Sequence, residues 1–146
     1  MSQENVELVR RAIDSINRGR LALEDTADDF EMDWSNSVGP LKGVYRGAEQ
    51  VNGVFQSFRE VWDRLRWDVQ EVIDLEGGRV LIVNRVRMRG RTSHVEVEAT
   101  GIQVWTIRDG KLASVKLYQS RADALEAVGL SEQDAHADTR RGTENV

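Results

Sequence analysis

Residues 84–99 constrain the fold more than any other stretch, because charge and hydropathy both alternate there. A turn at Gly90-Arg91-Thr92-Ser93 sets Arg89 opposite His94, Arg87 opposite Glu96 and Arg85 opposite Glu98. The last two are opposite-charge cross-strand pairs. The other side of this ladder carries Asn84, Val86 and Met88 against Val95, Val97 and Ala99. Successive strand residues point to opposite faces, so a slip by one residue would invert both patterns together. Charge pairing and apolar alternation thus predict the same antiparallel hairpin.

That hairpin lies within a longer run of strand signals. Leu65, Trp67 and Val69 alternate within a strand over 65–74, and Val72 breaks their parity. Gly77-Gly78 reads as a turn, and 80–89 and 94–108 as the longest strands. Asp109-Gly110 is a hairpin turn leading into a last strand over 111–119. Upstream, Val6, Val9, Ile13 and Ile16 predict a helix over 4–18, with Ser2 as cap and Gly19 as stop. A short helix over 21–27 and a strand over 30–34 follow. Gly39, Pro40, Gly43 and Gly47 then punctuate a loop over 35–47. Val51, Val54, Phe55, Phe58, Val61 and Trp62 predict a helix over 48–62, with Gly53 as a point of close packing. A final helix over 121–128 ends at Gly129. The expectation is one α+β domain over 1–130, with an antiparallel sheet, helices on one face and no parallel crossover. Residues 131–146 read as a polar, disordered tail, with Ala135, Ala137 and Val146 their only apolar residues.

Composition narrows the function classes. A chain of 146 residues suits a single core. Its net charge of −5 supplies no basic excess for phosphates, so no nucleic-acid partner is expected. Absence of cysteine excludes disulfides and thiolate chemistry. The longest strongly apolar run, Val80-Leu81-Ile82-Val83, is far below the roughly 20 residues of a membrane helix. The first ten residues lack the pattern of a signal peptide, and a cytoplasmic location is expected. Dinucleotide, P-loop, nucleophile-elbow and zinc-protease motifs do not occur.

Candidate chemistry rests on a few polar groups among aromatics. Asn84 and Gln103 share the parity of the apolar face, where burial demands hydrogen-bond partners. Trp34, Tyr45, Trp62 and Trp105 are the aromatic supply for a small-molecule pocket, with packing alone as the competing reading. Lys116 and Tyr118 share one face of the last strand. Asp33, beside Trp34 at a pocket mouth, is the candidate general base, its pKa raised by its surroundings. His94, Glu96 and Glu98 share a strand face, but the opposing arginines supply their counter-charge, so no metal site is expected. No cofactor is implied.

Four segments, in this order and spacing, carry a family resemblance. They are Glu4-Asn5-Val6-Glu7-Leu8-Val9-Arg10-Arg11, then Gly43-Val44-Tyr45-Arg46-Gly47, then the stretch from Val104 to Leu112, and finally that from Ser120 to Leu130. The chain resembles the SnoaL-like branch of the nuclear transport factor 2-like superfamily, which includes ketosteroid isomerase and limonene epoxide hydrolase. The resemblance implies a cone-shaped, strongly curved, mixed but mainly antiparallel sheet wrapped around the N-terminal and central helices, a cystatin-like α+β barrel. It also implies a hydrophobic ligand inside the cone, and a homodimer through the outer sheet face that carries the charged ladder.

The family's catalytic carboxylates transfer poorly. The epoxide hydrolase Arg-x-Asp falls on Arg85-Val86-Arg87, and its second Asp falls near Lys116. For a SnoaL-like cyclase the resemblance implies an acid–base Asp within the cone, and this chain has no Asp between Asp74 and Asp109. Three functions stay open. The first is binding of a hydrophobic small molecule. The second is isomerase, cyclase or hydratase chemistry involving Asp33, Lys116 and Tyr118. The third is an interaction module without a pocket.

Overall fold

A computed structural model describes residues 2–37 and 41–130. The expectations for the Ser2 side chain, for Gly39 and Pro40, and for the tail over 131–146 lie outside the described residues. Helix α1 (Ser2–Asn17) and helix α2 (Ala48–Val61) form where the apolar spacing places them. The expected helix over 21–27 is only a 3-10 turn, Leu23–Asp25, before strand β1 (Thr26–Asp33) begins. Within the expected loop lies a short strand, β2 (Val44–Arg46). Strands β3 (Trp62–Glu76), β4 (Arg79–Gly90), β5 (Glu96–Arg108) and β6 (Lys111–Tyr118) form the meander, and helix α3 (Arg121–Ala127) follows. The Ser120 hydroxyl caps α3 by accepting from the Asp123 N–H at 3.0 Å.

The six strands form one sheet in the order β2-β1-β6-β5-β4-β3. Strand β1 lies parallel to β6, with Asp33 beside Lys116, so the sheet is mixed, as the family resemblance implied and periodicity alone did not suggest. Strands β2 and β3 are free edges, so the sheet is open and neither closes nor curls strongly into the expected cone or barrel. A side chain occupies the β3 edge at one point. The Asn17 amide accepts from the Trp67 N–H at 2.8 Å and donates to the Trp67 carbonyl at 2.9 Å. It meets both backbone groups there as a neighbouring strand would. Asn52 of α2 makes the same paired contact with the Leu21 backbone, at 2.7 and 3.2 Å.

Helices cover both faces, not one. The inner face packs Phe30, Met32, Trp67, Val80, Ile82 and Trp105 against α1 and α2. The outer face carries a smaller core of Ile73, Leu75, Leu81, Ile102 and Val104, covered by Ala124 and Leu125 of α3. An ion pair between Arg121 and Glu71, at 2.9 and 2.8 Å, joins α3 to β3. The parity break at Val72 is a bulge. Val69 pairs with Asn84 and Glu71 with Val83, leaving Gln70 as the extra residue. Val69 and Val72 therefore both belong to the inner core, and Ile73 turns outward.

The central hairpin forms with a register shifted by two residues. Arg89 lies opposite Glu96, Arg87 opposite Glu98 and Arg85 opposite Thr100. An even shift preserves every face, so the apolar and charged sides stand as expected. Gly90 causes the shift by staying in the strand. It pairs with Trp62 of β3, and its N–H donates to the Val95 carbonyl at 2.9 Å. The turn moves to residues 91–94, with His94 at φ 59°.

Two glycines are expected to respond in opposite directions to alanine. Gly78 has φ 78°, and a Cβ there would lie 2.6 Å from the Ile107 carbonyl oxygen. Gly78→Ala is expected to cost about 2 kcal/mol or more. Gly53 is exposed and a Cβ there meets nothing within 4 Å, so the close packing expected at it is absent. Gly53→Ala is expected to stabilise by about 1 kcal/mol. Urea midpoints moving in these opposite directions are the check.

Candidate functional site

Inside the sheet, α1 and α2 close over an aromatic compartment. Phe30 packs on Trp105 with ring centroids 6.4 Å apart. Phe55 meets Trp67 edge-on at 6.0 Å, and Trp34 stacks on Trp67 at 6.4 Å and 14°. These side chains, with Met32, Val115 and aliphatic residues of the helix side, enclose a narrow gap without room for a water molecule. Its described walls carry no ionisable side chain. Trp34 is only half-buried, because it follows the last residue of β1 and lies at the rim.

Next to this compartment lies a buried polar set. Asn84 and Gln103 are 0% and 1% exposed. The Trp105 indole N–H donates to Gln103 Oε1 at 3.1 Å, and Asn84 Nδ2 donates to the same oxygen at 3.3 Å. The structure thus brings together Asn84, Gln103 and Trp105, with Trp34 across the compartment. Tyr45 packs at its edge, its hydroxyl donating to the Leu41 carbonyl at 3.0 Å. Trp62 stacks on Phe58 at 5.9 Å and does not line the gap. Trp67, Phe30 and Phe55 line the gap without having been singled out as site residues. For Trp67 the signal was its alternation with Leu65 and Val69.

Asp33, Lys116 and Tyr118 come together elsewhere, on the outer face. Asp33 neighbours the inward Met32 in β1, and Lys116 neighbours the inward Val115 in β6. Alternation therefore sends both outward. Lys116 Nζ lies 3.7 Å from Asp33 Oδ2 and 5.5 Å from the Tyr118 ring centroid. Burial acts to raise the Asp33 pKa. The Ser35 hydroxyl and N–H, donating at 2.6 and 2.9 Å, and the Lys116 charge outweigh it. The net pKa lies below the ordinary aspartate value, opposite to the rise expected of a general base.

The arginine ladder on the same face finds its main partners in β3. Arg89 forks onto Asp63 at 3.0 and 2.7 Å, and Arg87 pairs with Asp68, which also meets Arg66 at 2.8 Å. Hydrogen bonds from Arg89 and Arg87 hold the Asp63 and Asp68 carboxyls below their ordinary pKa. Arg85 pairs with Glu98 at 2.8 Å. Among the described residues no group of three or more His, Asp or Glu side chains is placed to hold a metal ion.

A depressed Asp33 pKa fixes the sign of its pH dependence. Stability from the carboxylate is complete above the ordinary aspartate range and is lost as pH falls through the lowered native value. Asp33→Asn is therefore expected to cost about 1 kcal/mol at neutral pH. Its deficit relative to the parent should shrink between about pH 5 and about pH 2. Paired denaturation curves across that range test this, and a deficit constant in pH would contradict it.

Among the described residues no helix is long and apolar enough to cross a membrane. No curated protein matches the sequence. Bal32a from a soil-derived mobile gene cassette superposes with TM-score 0.71 at 16% identity, covering 80% of this chain and 89% of that one. TerC, co-crystallized with polyporic acid, superposes with TM-score 0.67 at 17% identity, covering 86% and 98%. An NTF2-like protein from Burkholderia xenovorans LB400 gives TM-score 0.64 at 25% identity, covering 81% and 90%. These likenesses carry the fold. The sequence signature of the SnoaL-like domain matches residues 9–115. With an open mixed sheet packed against α1 and α2, and that signature spanning most of its length, the chain belongs to the SnoaL-like domain family.

Proposed function

We propose that this domain binds a hydrophobic small molecule in the aromatic compartment, as a cytoplasmic protein without acid–base chemistry of its own. The observation carrying this reading is the wholly apolar lining of the compartment, with tryptophan at its rim. An apolar guest enters by parting these packed side chains, exchanging their contacts with one another for contacts with itself. Entry requires Trp34 to leave its stack on Trp67. Co-crystallization of TerC with polyporic acid, on the same fold, is in keeping with this use of the domain. The placement of Asp33, Lys116 and Tyr118 on the outer face favours binding over isomerase, cyclase or hydratase chemistry. A water-excluded interior without an ionisable group offers no base to a substrate.

Benzofuran, compact and apolar, is the probe. It is expected to bind saturably by calorimetry, near one molecule per chain, and to raise the melting temperature. Val51→Phe, which places a ring where Val51 lines the gap, should abolish saturable binding while native circular dichroism is retained. Undiminished affinity in that variant would overturn the proposal.

A homodimer through the outer sheet face is the second part of this reading. Strand β6 pairs with β5 only from Ile102 onward, so among the described residues no strand covers the β5 edge over Glu96–Gly101. Residues 91–100 are all exposed, and on the outer face Glu96 and Glu98 of this stretch oppose Arg89 and Arg87. Exposed strand edges of this kind invite pairing with another chain. Sedimentation equilibrium is expected to give twice the chain mass, and the chain mass at working concentration would contradict it.

A further inference from the structure

We propose that Asp33 is the latch of the aromatic compartment: from the outer face, its carboxylate holds the turn whose middle residue, Trp34, covers the compartment on the inner face. This deepens the ligand-binding reading and rests on it, because the latch sets how fast a guest is admitted. Trp34 is the part of the wall that must move. It lines the compartment, stacks on Trp67 at 6.4 Å and 14°, and is only half-buried. The space behind it has no room for a water molecule, so its indole has no room to turn inward. The ring leaves outward, past the rim, and its position there depends on the backbone that carries it.

That backbone is fastened by side chains on the opposite face. Asp33 Oδ1 accepts from the Ser35 N–H at 2.9 Å and from the Ser35 hydroxyl at 2.6 Å. The bond from the N–H closes a ring around Trp34, a turn of the kind that Asp and Asn side chains make with the backbone two residues on. While that ring is closed, the peptide groups on either side of Trp34 keep their relative orientation. Lys116 Nζ, 3.7 Å from Asp33 Oδ2, ties the same carboxylate to β6. Val115, the neighbour of Lys116, lines the compartment, so the anchor of the latch and part of the wall share one strand. Asn36 adds to the fastening. Its Nδ2 donates to the Leu117 carbonyl at 3.2 Å, and its own carbonyl accepts from the Gln119 amide. Backbone pairing of Trp34 with Gly43 consists of one short bond, at 2.7 Å, and one long one, at 3.4 Å. The Trp34 carbonyl also accepts from the Ser37 N–H at 3.0 Å, within the same turn. Asp33 thus supplies the side-chain bonds that span Trp34. It is a positioning residue. Its carboxylate lies on the face away from the compartment, so it acts alike on the empty and the occupied state.

Fluorotryptophan incorporated into the full chain gives each of the four tryptophans a fluorine signal, and Trp34→Phe identifies that of Trp34. Saturation-transfer spectra without any guest are expected to show the displaced state of Trp34 about tenfold more populated in Asp33→Ala than in the parent. Stopped-flow fluorescence with benzofuran should then show association and dissociation both about tenfold faster, with Kd unchanged within about twofold. Asp33→Asn keeps an oxygen for the Ser35 donors and loses the charge, so it should fall between the parent and Asp33→Ala. Asp63→Ala removes the partner of Arg89 on the same face, away from Trp34. It should leave the Trp34 signal and both rates as in the parent, which separates the latch from a general loss of stability. Should Asp33→Ala not fold, Ser35→Ala, which removes the hydroxyl donor alone, carries the same expectation at about threefold. An unchanged Trp34 population in Asp33→Ala would overturn the latch, as would a weakened Kd with association at the parent rate. A raised population together with no binding of benzofuran to the parent would uphold the hold of Asp33 on Trp34 and overturn the compartment as a ligand site.

Discussion

Alternation of side chains along Val80–Ile82 of β4 and Ile102–Trp105 of β5 governs this structure, because both faces of the sheet are buried there. Val80 and Ile82 enter the inner core while Leu81 enters the outer one, and Trp105 faces inward while Val104 faces outward. A one-residue error in any of these strands would exchange two hydrophobic cores, not merely expose one. Alternation also separates two kinds of surroundings. Asn84, Gln103 and Trp105 lie on the apolar inner side, whereas Asp33, Lys116 and Tyr118 lie on the outer side, where charges pair and water is near. A carboxylate there is held ionised by Ser35 and Lys116.

The open sheet depends on asparagines that substitute for strand neighbours. Asn17 satisfies the Trp67 N–H and carbonyl on the β3 edge, and Asn52 does the same for Leu21 just before β1. Each amide offers one donor and one acceptor in the spacing that a peptide group presents. These contacts tie α1 to β3, and α2 to the segment that follows α1. The walls of the aromatic compartment are thereby positioned without closing the sheet. The outer face reaches stability differently, through the small apolar core under α3 and through arginine–carboxylate pairs.

Much of this was legible in the chain itself. Helices α1 and α2 follow from apolar spacing, and Asp109-Gly110 turns as its composition dictates, with φ of 54° and 75°. The inward parity of Asn84 and Gln103 was readable from their strands. The hairpin register was not, because charge pairing is satisfied equally well two residues away: Arg87 opposes a glutamate in either register. Gly90 decided between them by staying in the strand opposite Trp62, a β3 residue outside the pattern being read. The bulge at Gln70 announced itself as broken parity at Val72, but only pairing with β4 identified the extra residue.

What the sequence determined alone is therefore local and periodic. It set most of the helical and strand segments, though not the 3-10 turn at Leu23–Asp25 or β2, and it set which positions share a face and which named residues are polar within an apolar face. Tertiary structure decided the rest: parallel pairing of β1 with β6, helices on both faces, the open edges, and the face on which Asp33 and Lys116 meet. Periodicity records the relation of a residue to its own element, whereas these outcomes depend on which element becomes its neighbour. Side-chain amides show the difference most clearly. Nothing in their spacing distinguishes Asn17, which substitutes for a strand, from Asn84, whose carbonyl is left without a donor among the described residues. Only their neighbours in space do.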